Sequence, residues 1–162
     1  ILQAARGIPA WRSPRTTPLI VACALAEGVG LFWLLAGWSA GSTAMLALFA
    51  ILVIARALLW RSWRAAIAAN AAPRALAALD PTGKLLLWIG SALPLILVLV
   101  AATGLAGGTA NAALMALAGL LVAATGARFK FALITRGAFN QGFALNRLPV
   151  RGVPRASGNR PT

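Results

Sequence analysis

The chain contains no histidine, a single cysteine and only two acidic residues, Glu27 and Asp80. Each shortage removes a class of chemistry. Without histidine, neither a haem with histidine axial ligands nor a histidine-based zinc or copper site can form. One thiol and two carboxylates are too few donors for a self-contained metal centre. No imidazole is available to activate a serine, threonine or cysteine nucleophile, so histidine-assisted hydrolysis is excluded. Cys23 has no partner for an intrachain disulfide, and its apolar surroundings in the sequence mark it as a small buried residue. Charge of either sign is sparse, at 10% of residues against 60% hydrophobic. Soluble domains carry about 25% charged and about 45–50% apolar residues. This is a membrane composition.

What is present is a succession of apolar runs. A helix needs about 20 apolar residues to cross a hydrocarbon core about 30 Å thick. Pro18 to Trp38 meets that length and gathers Phe32, Trp33 and Trp38 towards its far end. After the uncharged turn Ser39–Ser42, Thr43 to Trp60 returns and ends among Arg56, Arg61 and Arg64. Residues 61–84 are less apolar, and their alanines and spaced arginines predict an interfacial helix, broken at Pro73 and stopped at Asp80-Pro81-Thr82-Gly83. Leu85 to Leu105 is the third span, with Pro94 as a kink. A glycine-rich turn over 104–109 leads to the fourth span, Ala110 to about Ala127, which can continue as helix to Thr135. That turn lacks the lysine and the preceding strand of a phosphate loop. The fourth span is rich in alanine and glycine, so its backbone can approach its neighbours closely. No strand pattern occurs. The fold class is an all-α membrane protein with four transmembrane helices.

The organisation follows: a segment 1–17, a four-helix region 18–127 with an interfacial loop 61–84, and a basic tail 128–162. Fourteen of the 15 basic residues lie in 1–17, 61–84 and 128–162, and Arg56 sits about one turn inside that boundary. The turns near 39–42 and 106–109 carry no basic residue. The positive-inside rule therefore predicts an inner (cytoplasmic) membrane protein with both ends of this sequence and the long loop in the cytoplasm. The net charge of +13 would suggest nucleic acid on a soluble protein. Here the bases are segregated by topology, so orientation and anionic lipid account for them. The sequence opens on Ile1 without a signal-peptide pattern, and we expect it to be a portion of a longer polypeptide.

Two stretches carry a resemblance. Near the start, Ala4-Ala5-Arg6-Gly7-Ile8-Pro9-Ala10-Trp11-Arg12-Ser13-Pro14 precedes a span containing Gly28. Near the end come Lys130, Leu133-Ile134-Thr135-Arg136, Asn140-Gln141-Gly142-Phe143-Ala144-Leu145 and Leu148-Pro149-Val150-Arg151-Gly152. In this order and spacing the chain resembles the second half of the membrane subunits of molybdopterin oxidoreductases of the NrfD/DmsC (polysulfide- and dimethylsulfoxide-reductase) type. Its tail is most similar to phenylacetyl-CoA:acceptor oxidoreductase-like members. The resemblance implies half of an eight-helix bundle without haem or metal of its own. It also implies transient binding of a quinone, and electron exchange with an iron–sulfur subunit that serves a molybdopterin catalytic subunit. Catalysis on the substrate would then lie in a partner chain.

Against that background, Glu27 is the one carboxylate inside a span, about 13 Å along the first helix from Pro18. A buried ionisable residue in a membrane is costly and is a functional candidate, as proton relay or partner of the quinone head. The alternative is a structural pair with a basic group such as Arg56, or a hydrogen bond to a neighbouring helix. Arg56 and Lys130 each have two readings: snorkelling to the headgroups, or stabilising the oxyanion of a reduced quinone. Trp11, Trp38, Trp60, Trp63 and Trp88 lie near span ends and read as belt anchors.

The tail carries Arg136, Phe139, Asn140, Gln141, Phe143, Asn146, Arg147 and Arg151 among glycines. Lipid attraction accounts for the arginines alone. The amides and phenylalanines suit a shaped protein interface, so the tail is expected to dock the soluble partners. A competing class remains, a non-redox membrane scaffold or half of a proton-coupled transporter, because four spans with one central carboxylate suit a carrier built from repeats.

Overall fold

The structure, a computed structural model, describes residues 8–36, 43–104 and 107–137. Within them lie a one-turn helix α1 (Pro9–Arg12) and the long helices α2 (Thr16–Ala36) and α3 (Thr43–Ile67). The third span is composite: α4 (Pro73–Leu87), a π-helical turn (Trp88–Ala92) and α5 (Leu93–Ala102) run on without a break. Helix α6 (Gly108–Arg136) closes the bundle. Four stretches, 16–36, 43–67, 73–102 and 108–136, are long and apolar enough to cross a membrane, and no strand forms among the described residues. The protein is a multi-pass, all-α membrane protein.

The expected spans are all found, with shifted ends. Residues 61–84 do not form a separate helix at the interface. Residues 61–67 complete α3, so Arg61 and Arg64 stand on its last two turns. Pro73 starts α4 where it was expected to break a helix. Proline fits the first helical turn because the N–H it lacks has no partner there in any case. Ala72 before it is extended, at φ −61° and ψ 143°, as the proline ring demands. Asp80 to Gly83 lies inside α4. Gly83 is needed there for packing, since a Cβ at that position would overlap the indole of Trp60. Across the same junction Arg64 clasps Asp80, with Nε to Oδ1 at 2.5 Å and Nη2 to Oδ2 at 2.9 Å. Helix α6 likewise runs through the expected start of the tail at 128.

Helix α2 packs along both α3 and α6, and α6 also covers α4 and α5. The α2–α6 crossing is close because Gly30 and Gly119 meet there: a Cβ on either would overlap the backbone of the other. Small residues allow this approach in a membrane, where dispersion contacts between helices substitute for the hydrophobic drive. Leu25, Ile51, Leu58, Ile96, Leu99 and Phe131 point outward, as suits helices facing lipid.

The interior divides into two apolar clusters. One gathers Leu19, Cys23, Trp60, Trp63, Leu79, Phe129 and Leu133 at the arginine-rich end. The other gathers Trp33, Phe49, Val53, Val98, Met115 and Val122 towards the opposite end. Cys23 is fully buried, as its setting in the sequence implies. Trp60 and Trp63 are buried too and do not act as belt anchors, because α3 continues past them and turns both into the bundle. Trp63 meets Phe129 edge to face, with centroids 5.9 Å apart, and its Nε1 donates to Thr16 Oγ1 at 3.0 Å. Trp88, at 70% exposure, keeps an outward position. Trp38 lies outside the described residues.

The segment before α2 is tied onto the arginine-rich end. Trp11 Nε1 donates to the carbonyl of Leu133 at 2.8 Å, and Arg15 donates to the carbonyl and hydroxyl of Ser62. Three helices, α2, α3 and α6, are thereby fastened at one end.

Candidate functional site

Glu27 stands eleven residues after the start of α2 and Arg56 eleven before the end of α3. At 1.5 Å per residue, both side chains leave their helices about 16 Å from the arginine-rich ends. Thr125 and Gly126 of α6 and Gly90 and Ser91 of the π-helical turn reach the same layer. A polar stratum therefore separates the two apolar clusters.

Arg56 is its fixed member. It is fully buried, which overturns the snorkelling expectation. The guanidinium turns inward to acceptors on two neighbouring elements. Its Nη1 donates to the carbonyl of Val122 at 3.0 Å, and its Nη2 to the carbonyl of Gly90 and to Ser91 Oγ at 3.3 Å. The Gly90 carbonyl is available for a chemical reason. In an α-helix it would accept from the residue four positions on, which is Pro94, and proline has no N–H. The intervening π-helical turn widens the backbone locally, and glycine at 90 leaves room for the guanidinium and for Thr125, which a Cβ would meet. A buried arginine thus supplies the donor that a proline withholds.

Glu27 and Lys130 form the second element. Lys130 Nζ lies 2.6 Å from Glu27 Oε2, joining α6 to α2. The structural pair foreseen for Glu27 therefore exists, with Lys130 as partner in place of Arg56. The reason is that Arg56 is consumed by the carbonyls of α6 and the π-helical turn. Gly126 completes the setting, since a Cβ there would occupy the place of the Glu27 carboxylate. The other oxygen, Oε1, is buried without a hydrogen-bond partner, as is Arg56 Nε. The two side chains are close enough to interact electrostatically, and Cys23 shares their neighbourhood. The glutamate side chain is 14% exposed and the lysine side chain 31%.

All three candidates for quinone or proton chemistry, Glu27, Arg56 and Lys130, thus fall in or next to one layer. Arg136, the remaining described candidate, is the exposed last residue of α6. Phe139, Asn140, Gln141, Phe143, Asn146, Arg147 and Arg151 lie outside the described residues. Sequence reasoning missed Gly90, Ser91, Thr125 and Gly126 as parts of the site. The available signal was Pro94, which leaves a carbonyl without its donor four residues back, next to a span with one interior arginine. No family model, curated protein or solved structure matches this chain.

Proposed function

We propose that this chain is the membrane-anchoring, quinone-interacting subunit, or half of one, of a multi-subunit molybdenum and iron–sulfur oxidoreductase. On this reading it passes electrons between the quinone pool and an iron–sulfur partner. The observation that carries the proposal is the layer in which fully buried Arg56 and the part-exposed Glu27–Lys130 ion pair come together within the four-helix bundle. Such groups are too costly in a membrane interior to persist without a task. The order of motifs near both ends of the chain adds the redox context.

The residues present fit a quinone head: Glu27 Oε1 is a buried acceptor without a donor, and Lys130 is a part-exposed cation able to donate to a carbonyl. A bound quinone supplies two-electron, two-proton redox chemistry. The chain's part is to orient the head through Lys130, to hold or release a proton at Glu27, and to exclude water with the apolar clusters on either side. Arg56 acts from a distance by fixing α3 against α6 and the π-helical turn. The arginine-rich end faces the cytoplasm under the positive-inside rule, which sets the chain in the inner membrane with the tail on the side of its soluble partners. Anionic lipid headgroups would meet the remaining surface arginines.

The test is quinone turnover by the assembled complex carrying Glu27→Gln. The expected outcome is slowed turnover with all subunits retained. Unchanged turnover would leave Glu27 a structural partner of Lys130 and remove the main support. A second reading, half of a proton-coupled carrier, draws on the π-helical turn that widens the third span beside buried Arg56. Proton-coupled uptake by a complex free of metal would favour it.

A further inference from the structure

We propose that residues 8–12, the short helix α1 with Ile8 before it, are a strap that caps the end of α6 and keeps its last turn helical. The inference rests on contacts among the described residues and holds for the redox-anchor and the carrier reading alike. It begins from one carbonyl. In a regular helix the carbonyl of Leu133 would accept from the residue four positions on, Gly137. Gly137 turns away and donates to the carbonyl of Ala132 at 3.2 Å. The Leu133 carbonyl is thereby one of the orphan acceptors of a helix end, on a fully buried residue. Leaving such a group unpaired costs more than an ordinary hydrogen bond contributes. Trp11 Nε1 meets it at 2.8 Å. A Cβ at position 137 would overlap the Leu133 oxygen and come within 3.3 Å of Trp11 Nε1, so glycine there keeps the approach open.

The strap itself is seated by few groups. The carbonyl of Ala10 accepts from Thr16 Oγ1 at 2.9 Å and from Trp63 Nε1 at 3.3 Å. Ile8, Ala10 and Trp11 pack on the apolar cluster at the arginine-rich end. Trp63 has a second acceptor in Thr16 Oγ1 at 3.0 Å, so it keeps a partner when the strap lifts. The Leu133 carbonyl has no other side-chain donor among the described residues. Two states follow. With the strap seated, α6 is helical to Arg136; with the strap lifted, its last turn frays and water reaches the Leu133 carbonyl. Openings of this kind lie at the low end of local stability. The strap therefore fixes the point from which the chain continues beyond Gly137. A partner or a pull that takes hold of residues 8–12 would loosen the end of α6, although Trp11 and Leu133 are 122 residues apart in sequence.

Amide hydrogen exchange of the full chain in lipid nanodiscs, read on peptides covering 131–137, tests the strap. Trp11→Phe keeps a ring on the apolar cluster and removes the N–H. It should speed exchange at Ile134 to Gly137 by about fivefold or more, while peptides from the middle of α2 and α3 exchange as in the unaltered chain. Gly137→Ala should act on the same bond from the other side. The two changes combined should give less than the product of their separate effects. If Trp11→Phe fails to assemble, Gly137→Ala alone decides. Unchanged exchange over 131–137 in the variants would overturn the proposal. So would a rise spread evenly over all four spans, which would mark a general loosening of the bundle. No quinone, metal or partner enters the measurement, so the result is separate from the proposed function.

Discussion

Arg56 of α3 donates to the carbonyl of Gly90, the group that Pro94 leaves without its helical donor. This relationship links three elements, since the same guanidinium reaches Val122 of α6. Arg56→Met should therefore lower stability by about 1–3 kcal/mol, through the buried Gly90 carbonyl left without a donor. In a Pro94→Ala background the backbone can again donate to Gly90, and the loss should shrink. Denaturation of the four variants in detergent would give a coupling of about 1 kcal/mol or more. Additive losses would mean that Arg56 and Pro94 act independently.

Gly30 and Gly119 set the distance between α2 and α6. Alanine at either should cost about 1–3 kcal/mol, because the new Cβ meets backbone that cannot move aside. Gly28, two residues from Gly30, faces open space, and Gly28→Ala should be neutral or stabilising by up to about 1 kcal/mol. Melting temperatures of the three single variants in one detergent check the contrast.

Much of this architecture was legible in the sequence, for identifiable reasons. Four runs of apolar length, and the confinement of nearly all bases to three segments, determine the span count and the two ends of the bundle. The readings that failed share a cause. Tryptophans near a span end read as belt residues, and an arginine one turn inside reads as snorkelling, because local position says nothing of which face turns inward. Trp60, Trp63 and Arg56 face inward because of groups far along the chain: Gly83, Thr16, and the Gly90 and Val122 carbonyls. Likewise, Pro73 and Pro81 looked like breaks, yet one begins α4 and the other lies inside it. The choice of Lys130 over Arg56 as the partner of Glu27 depends on the fold as a whole, and no spacing within one helix encodes it.

Among the described residues Arg64 and Asp80 form the other ion pair, with side chains 24% and 37% exposed. Solvent and salt screen a pair this open, so Asp80→Asn should cost less than about 1 kcal/mol, and less still at high salt. Stability at low and high ionic strength tests this. A loss that is large and independent of salt would mean that the clasp is desolvated.

The proposed docking role of the tail rests on its amides and aromatic residues. Replacing Asn140, Gln141 and Phe143 together by alanine should release the soluble subunits from the membrane while the four-helix region still inserts. Fractionation of membranes after a mild wash would measure it. Retention of the partners would reduce the tail to a lipid contact.

The most direct test of the redox-anchor proposal is composition. The complete protein would be isolated from its native membrane in mild detergent, and molybdenum (or tungsten), iron and quinone measured in the same sample as the co-purifying chains. Stoichiometric metal with an iron–sulfur partner and bound quinone is the expected result. A chain that purifies alone, or with lipid only and without metal, would contradict it and turn attention to the carrier or scaffold reading.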